Sequence, residues 1–379
     1  MAITFELVPE ELGLRDPLFV GAFMGWPDAS LGASGAVRYL VEKLNATLLA
    51  VWDGDEYYDF VELRPVSHVV PPRDRALIWP RGEFWIARKV PLTTSAAAGR
   101  EAAGRVVIPG VPEAPDATDA EPAAAAGAAE LPAPAARSLV LFLAHEPRLR
   151  WRAYARELAG LIKRCGATQA VFFGAAYADV PHTRPPIVTG WATEPRLRTR
   201  LEAAGVPFSA YQGPSSMQSA AIEVCRQEGI ACASLFSNGP HYLPVPNANL
   251  SLALLRRLSA VFGLAVDLEP LAEAGAALTQ QATAAMEDRT EFREHVRQLE
   301  AQFDAQAAPL APGEVQRAAA RAQAEASAPL NVDPQDVVRE LEDFLRRRSR
   351  AQRPDEPGEG GEGGGPSRGE DDQPPGPSA

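Results

Sequence analysis

The string Ala178-Asp179-Val180-Pro181-His182-Thr183-Arg184-Pro185 brings a carboxylate, an imidazole and a guanidinium within six residues of one another. A histidine beside a carboxylate can act as a general base, and a nearby arginine can hold an anion or a developing oxyanion. Asp179, His182 and Arg184 are therefore the candidate catalytic residues. Asp28 in GWPDAS, Glu146 in HEP and His241 in PHY are candidate ligand-binding residues, provided the fold carries them to one place. The competing structural role is plain. Asp179 would cap a turn, His182 would satisfy backbone carbonyls, and Arg184 would pair with a carboxylate to pin a proline-stiffened loop.

Other chemistries find less support. A metal would have to recruit His182, His241, Asp179 and Glu146, yet no HxxxH or HExxH pair supplies two ligands from one helix, so no metal is expected. Neither GxxxxGK[ST] nor a helix-opening GxGxxG is present, so no nucleotide cofactor is expected. Gly32 and Gly35 fall inside a helical pattern, where small residues permit close helix packing. Ser215, Ser216 and Ser219 follow Gly213-Pro214 without a GxSxG elbow and read as helix caps.

The candidates need elements to hold them. Leu18 to Phe23 is an apolar run of strand length, and after the GWPD break Ala33, Val37, Leu40, Val41 and Leu44 recur at helical spacing. The same unit repeats with a strand at Leu139 to Ala144 and a helix over Trp151 to Cys165. Further strands are read from Ala170 to Phe173 and from Ala231 to Phe236, with helices at Ser215 to Glu228 and Asn249 to Phe262. Alternating strands and helices imply a mostly parallel sheet covered on both sides. The candidate residues lie in loops just after the apolar runs, where open α/β sheets bind ligands. Thr47 to Trp52, Val66 to Val70, Ala76 to Trp79 and Phe84 to Arg88 are short β-like runs broken by proline and charge, so the sheet is expected to be mixed.

These elements make residues 1–265 one α/β domain, interrupted by an Ala/Pro-rich insert at 92–137 that lacks apolar periodicity. Residues 266–348 form a helical extension. Phe292, Val296, Leu299 and Phe303 make one apolar stripe, and Asp333-Pro334 opens a short helix carrying Val337, Leu341, Phe344 and Leu345. Residues 349–379 are an acidic Gly/Pro-rich tail, expected to be disordered.

The net charge of −12 disfavours nucleic acid. No run of apolar residues has transmembrane length, and the first residues lack a signal-peptide pattern, so a cytoplasmic protein without membrane contact is expected. Three unpaired cysteines, read as buried thiols, fit that compartment.

The polar strings also resemble a known family. GWPDAS with ASGAVRYL, then YYDFVELRP, EPRLRW, ADVPHTRP with VTG, YQGP and PHYLPVPNANLSLALLRRL are together similar to the proteasome assembly chaperone 2 family in its bacterial form, from Phe19 to Phe262. The resemblance implies a three-layer α/β/α fold of the phosphorylase/hydrolase-like kind. It also implies self-association, with a trimer as the candidate state, and a protein partner, since the eukaryotic namesake chaperones assembly of proteasome α-rings. Two readings follow. One is a non-enzymatic binding or assembly-chaperone-like protein; the other is a small-molecule enzyme, of nucleoside hydrolase or phosphorylase type, using Asp179, His182 and Arg184.

Overall fold

A computed structural model describes residues 12–70, 74–93, 136–209, 211–287 and 289–307. The acidic tail, the helix expected after Asp333 and residues 94–135 of the insert lie outside the described residues.

The core is a seven-stranded sheet in the order β2-β5-β6-β1-β7-β9-β8. Its centre is β6 (Ala136–His145), β1 (Leu18–Met24), β7 (Gln169–Ala178) and β9 (Ala231–Pro240), all parallel. Their near-continuous apolar sequence is what strands buried on both faces require. β2 (Thr47–Asp53) and β5 (Arg81–Pro91) add antiparallel pairings at one side, and β8 (Val188–Ala192) adds one at the other. The expected mixed α/β sheet is present, with parallel pairing concentrated in the middle. The sequence reading did not recognise β8. Its VTGWA is short and flanked by prolines, and it forms by pairing with β9, with Gly190 also bridging to Phe208.

Period-two alternation along β1 separates two cores. Leu18, Val20 and Ala22 face α1 (Gly32–Lys43), α3 (Pro195–Ala203) and α5 (Ala248–Phe262), packing with Val37, Leu40, Leu201 and Leu258. Phe19 and Phe23 face α2 (Trp151–Arg164) and α4 (Met217–Gln227), in an aromatic cluster with Phe142, Phe172 and Tyr154. Each such buried side chain contributes about 1.5–3 kcal/mol of transfer free energy. The result is the three-layer α/β/α arrangement. Cys165, Cys225 and Cys232 are buried free thiols.

The proposed role of Gly32 and Gly35 is visible at the α1–α5 contact. A Cβ on Gly32 would lie 2.7 Å from the Leu250 Cβ, and one on Gly35 would lie 2.7 Å from the Ser251 Oγ. The ends of the 92–137 stretch are tied to the domain: Leu92 makes an isolated bridge to Leu264, and Arg137 sits in β6 with its guanidinium on Asp16.

α6 (Glu269–Met286) and α7 (Thr290–Ala307) follow the sheet, with Val296 and Leu299 of the expected apolar stripe buried and Phe292 38% exposed. Between β2 and β5 a separate two-stranded ribbon forms from β3 (Val66–Val70) and β4 (Asp74–Ile78). No helix among the described residues is long and apolar enough to cross a membrane.

Candidate functional site

The carboxyl end of β7 leads into the ADVPHTRP loop, and that of β9 into the Pro240–Leu243 turn. These two connections bring Asp179, His182, Arg184 and His241 into one neighbourhood, over which α6 and α7 fold.

His182 is almost fully buried, and its backbone N–H and both ring nitrogens are engaged. Its backbone N–H donates to the Tyr242 hydroxyl at 2.8 Å, while Nδ1 lies 2.9 Å from the same hydroxyl and Nε2 lies 3.1 Å from the Thr283 Oγ1. The Thr283 hydroxyl donates to the Thr279 carbonyl on α6, leaving its oxygen to accept from His182 Nε2–H. Nδ1 then accepts from the Tyr242 O–H. This assignment makes the ring a neutral imidazole bridging the β9 turn to α6, and burial lowers its pKa below the ordinary histidine value.

Arg184 is held by α7. Nε and Nη2 donate to the two carboxylate oxygens of Asp304 at 2.9 and 2.7 Å in a fork, and Nη1 donates to Glu300 at 3.2 Å. The Thr183 hydroxyl donates to the same Glu300 oxygen. The Asp304 carboxylate raises the Arg184 pKa, and Arg184 in turn lowers that of Asp304. The guanidinium therefore already has its anions. Asp179 and His241 form a 3.3 Å pair on the surface, apart from the buried ring of His182. The His241, Tyr242 and His295 rings meet edge to face with centroids 5.8–5.9 Å apart.

Asp28 and Glu146 lie at the same edge of the sheet but have different work. Asp28 Oδ1 accepts from the backbone N–H groups of Ala33 and Ser34 at 2.9 and 3.0 Å, capping the start of α1, and its burial raises the carboxyl pKa. Glu146 Oε1 accepts from the Met217 N–H at 2.7 Å and so caps α4 from 71 residues away; burial raises its pKa too. The serines expected to cap that helix do not: Ser216 occupies the N-cap position without a side-chain cap bond. A cap from a distant strand end leaves no mark in the local sequence.

Between the ADVPHTRP loop and the start of α5, the space lined by His182, Arg184, Asn238, Asn247 and Asn249 has a volume of about 10 Å³. That is room for about one water molecule.

The sequence reading missed Tyr242, Thr283, His295, Glu300 and Asp304, which complete this neighbourhood. Glu300 and Asp304 are spaced one helical turn apart on α7, so both can reach one guanidinium. That spacing was the available signal, but nothing local ties it to Arg184, 116 residues earlier.

Fold and edge together define a three-layer α/β/α protein whose C-terminal helices close over the carboxyl ends of its parallel strands. The family model of the PAC2 family matches residues 22–286, and the chain belongs to that family. Among solved structures it is similar to a PAC2 family protein from Streptomyces avermitilis, with 27% identity and a TM-score of 0.57 over 74% of this chain and 100% of that one. It is equally similar to a Mycobacterium tuberculosis proteasome-assembly chaperone homologue, with 27% identity and a TM-score of 0.56 over 74% of this chain and 99% of that one. A Corynebacterium glutamicum protein, 19% identical with a TM-score of 0.59 over 76% of this chain and 91% of that one, shares the fold. No curated protein matches.

Proposed function

We propose that this is a non-enzymatic, self-associating, assembly-chaperone-like protein of the cytoplasm that binds other proteins rather than transforming a small molecule. The observation that carries the reading is the state of the strand-end residues. His182 and Arg184 are both engaged by the chain's own helices, and the space beside them holds no more than about one water molecule. A small-molecule site normally offers some 300–1,000 Å³ and convergent free polar groups. The similarity to a proteasome-assembly chaperone homologue makes a proteasome α-subunit the first partner to test.

The test is sedimentation velocity of the purified chain, alone and with purified proteasome α-subunits, beside a thermal-shift screen with nucleosides and inorganic phosphate. A self-associated chain that co-sediments with α-subunits, with no stabilisation by any small molecule, is the expected result. A ligand that binds the native state must raise its stability. A nucleoside-dependent shift that disappears in His182→Ala would overturn the reading in favour of the enzyme.

A further inference from the structure

The ADVPHTRP loop meets α7 through donors that all aim at the carboxylates of one helix face. Arg184 Nε and Nη2 bind Asp304 in a fork, and Arg184 Nη1 and the Thr183 hydroxyl both donate to one oxygen of Glu300. Glu300 and Asp304 stand one turn apart, and the buried Leu299 and Val296 lie just before them. The other charges of α7 are directed elsewhere: Glu294 pairs with Arg297 at 4.0 Å, Arg293 donates to the Thr290 hydroxyl, and Glu291 is exposed. On the loop, Asp179 is turned to His241. The chemistry that this surface recognises is therefore written in the helix that fills it: two carboxylates one turn apart beside a short apolar stripe.

The two C-terminal helices are held differently. α6 is locked from the body by Asn249, whose Nδ2 donates to the Gly275 carbonyl and the Thr279 hydroxyl, both at 3.0 Å. The approach there is so close that a Cβ on Gly275 would lie 2.2 Å from the Asn249 Oδ1. The ties of α7 to the loop are instead open to water, with side-chain exposures of 33% for Arg184, 27% for Glu300 and 54% for Asp304, and His295 adds edge contacts to His241 and Tyr242. Ion pairs at such positions change partners at little cost. An incoming helix with the same two carboxylates restores the bonds that α7 gives up, so no donor of the loop is left unpaired. No strand follows α7 among the described residues, so its departure breaks no sheet pairing. We propose that α7 is a displaceable strap over a recognition surface for an acidic amphipathic helix, and that a partner protein's helix with this carboxylate spacing takes its place on Thr183 and Arg184.

The inference rests on the partner-binding reading of the proposed function and names the surface and chemistry of the contact. The probe is a fluorescent peptide with the sequence of residues 290–307, stapled as a helix through positions 294 and 298, which are both exposed. Its anisotropy is followed on titration with the full wild-type chain, with Glu300→Lys/Asp304→Lys, which releases the strap and keeps the loop, and with Arg184→Glu, which breaks the loop. The lysine variant is expected to bind the peptide about tenfold more tightly than the wild type, because apparent affinity falls with the fraction of chains whose site is vacant. Arg184→Glu is expected not to bind it, and a peptide carrying Glu300→Gln and Asp304→Asn is expected to bind none of the three. Equal affinity of wild type and lysine variant, or binding that survives Arg184→Glu, overturns the strap. Should the lysine variant fail to fold, excess peptide added to isotope-labelled wild type decides: faster amide exchange across 290–307 supports the strap, and unchanged exchange overturns it. Co-sedimentation with proteasome α-subunits is expected to strengthen in the lysine variant. If neither that variant nor the wild type binds α-subunits, the partner named under the proposed function falls, while the peptide titration still decides the strap.

Discussion

His182 is the residue whose chemistry changed most between sequence and structure. Its backbone N–H and both ring nitrogens bind the Tyr242 and Thr283 hydroxyls, and burial holds its pKa below the ordinary value, with Glu300 pulling the other way. The unfolded chain therefore takes up the proton first as pH falls. The stability tied to the neutral ring is complete above the unfolded pKa of about 6.5 and is lost as pH falls through the lower folded value. The melting temperature of the wild type is accordingly expected to drop more steeply from about pH 7 to about pH 5 than that of His182→Gln. His145, also lowered by burial, keeps its own share of the slope in both proteins. Asp28 makes a second residue-scale prediction. Asp28→Ala removes the acceptor for two N–H groups at the start of α1 and is expected to cost about 0.5–2 kcal/mol in denaturant unfolding. Asp28→Asn keeps an oxygen in place and relieves the burial of charge, so it is expected to cost less. Asp, Glu, His and Arg after apolar runs were legible as a set of strand-end residues. Which of them cap helices and which bind helices was not, because their partners lie 5 to 120 residues away.

Among the elements, helices and strands were read well where the apolar period is long and poorly where an element exists only through its neighbour. Strands with long apolar runs such as β1 and β6 announce themselves, whereas β8 depends on the hydrogen bonds that β9 offers. The close approach of α1 and α5 was foreshadowed by Gly32 and Gly35, and the contact gives a paired prediction. Gly32→Ala forces a Cβ to 2.7 Å from Leu250 and is expected to destabilise by about 1–3 kcal/mol. Gly160→Ala, at an exposed position of α2 where a Cβ meets nothing within 4 Å, is expected to stabilise by about 0.5–1 kcal/mol. Chemical denaturation of the two variants reads opposite signs from the same substitution type.

Across the whole molecule, the helical extension and the sheet are joined at the strand ends by His182, Thr183 and Arg184. Among the described residues of α7, Val296 and Leu299 are buried, and the ion pairs of Arg184 with Glu300 and Asp304 add a second tie to the strand ends. Arg184→Glu, which sets a third carboxylate against Glu300 and Asp304, is expected to speed amide exchange across 290–307 while leaving β1 and β7 protected. Equal exchange in both proteins would show that α7 docks without the fork. The alternation of apolar runs determined the layer architecture from sequence alone, since strands buried on both faces and helices with one apolar stripe have few other ways to bury those surfaces. The cluster of polar residues after the strands was equally visible. The tertiary structure alone decided their use, because a hydrogen bond or ion pair depends on which distant group arrives within about 3 Å, and that is a property of the packed chain. It brought Tyr242, Thr283, Glu300 and Asp304 to His182 and Arg184, and it left Val66, Val69, Leu77 and Ile78 of the β3–β4 ribbon exposed.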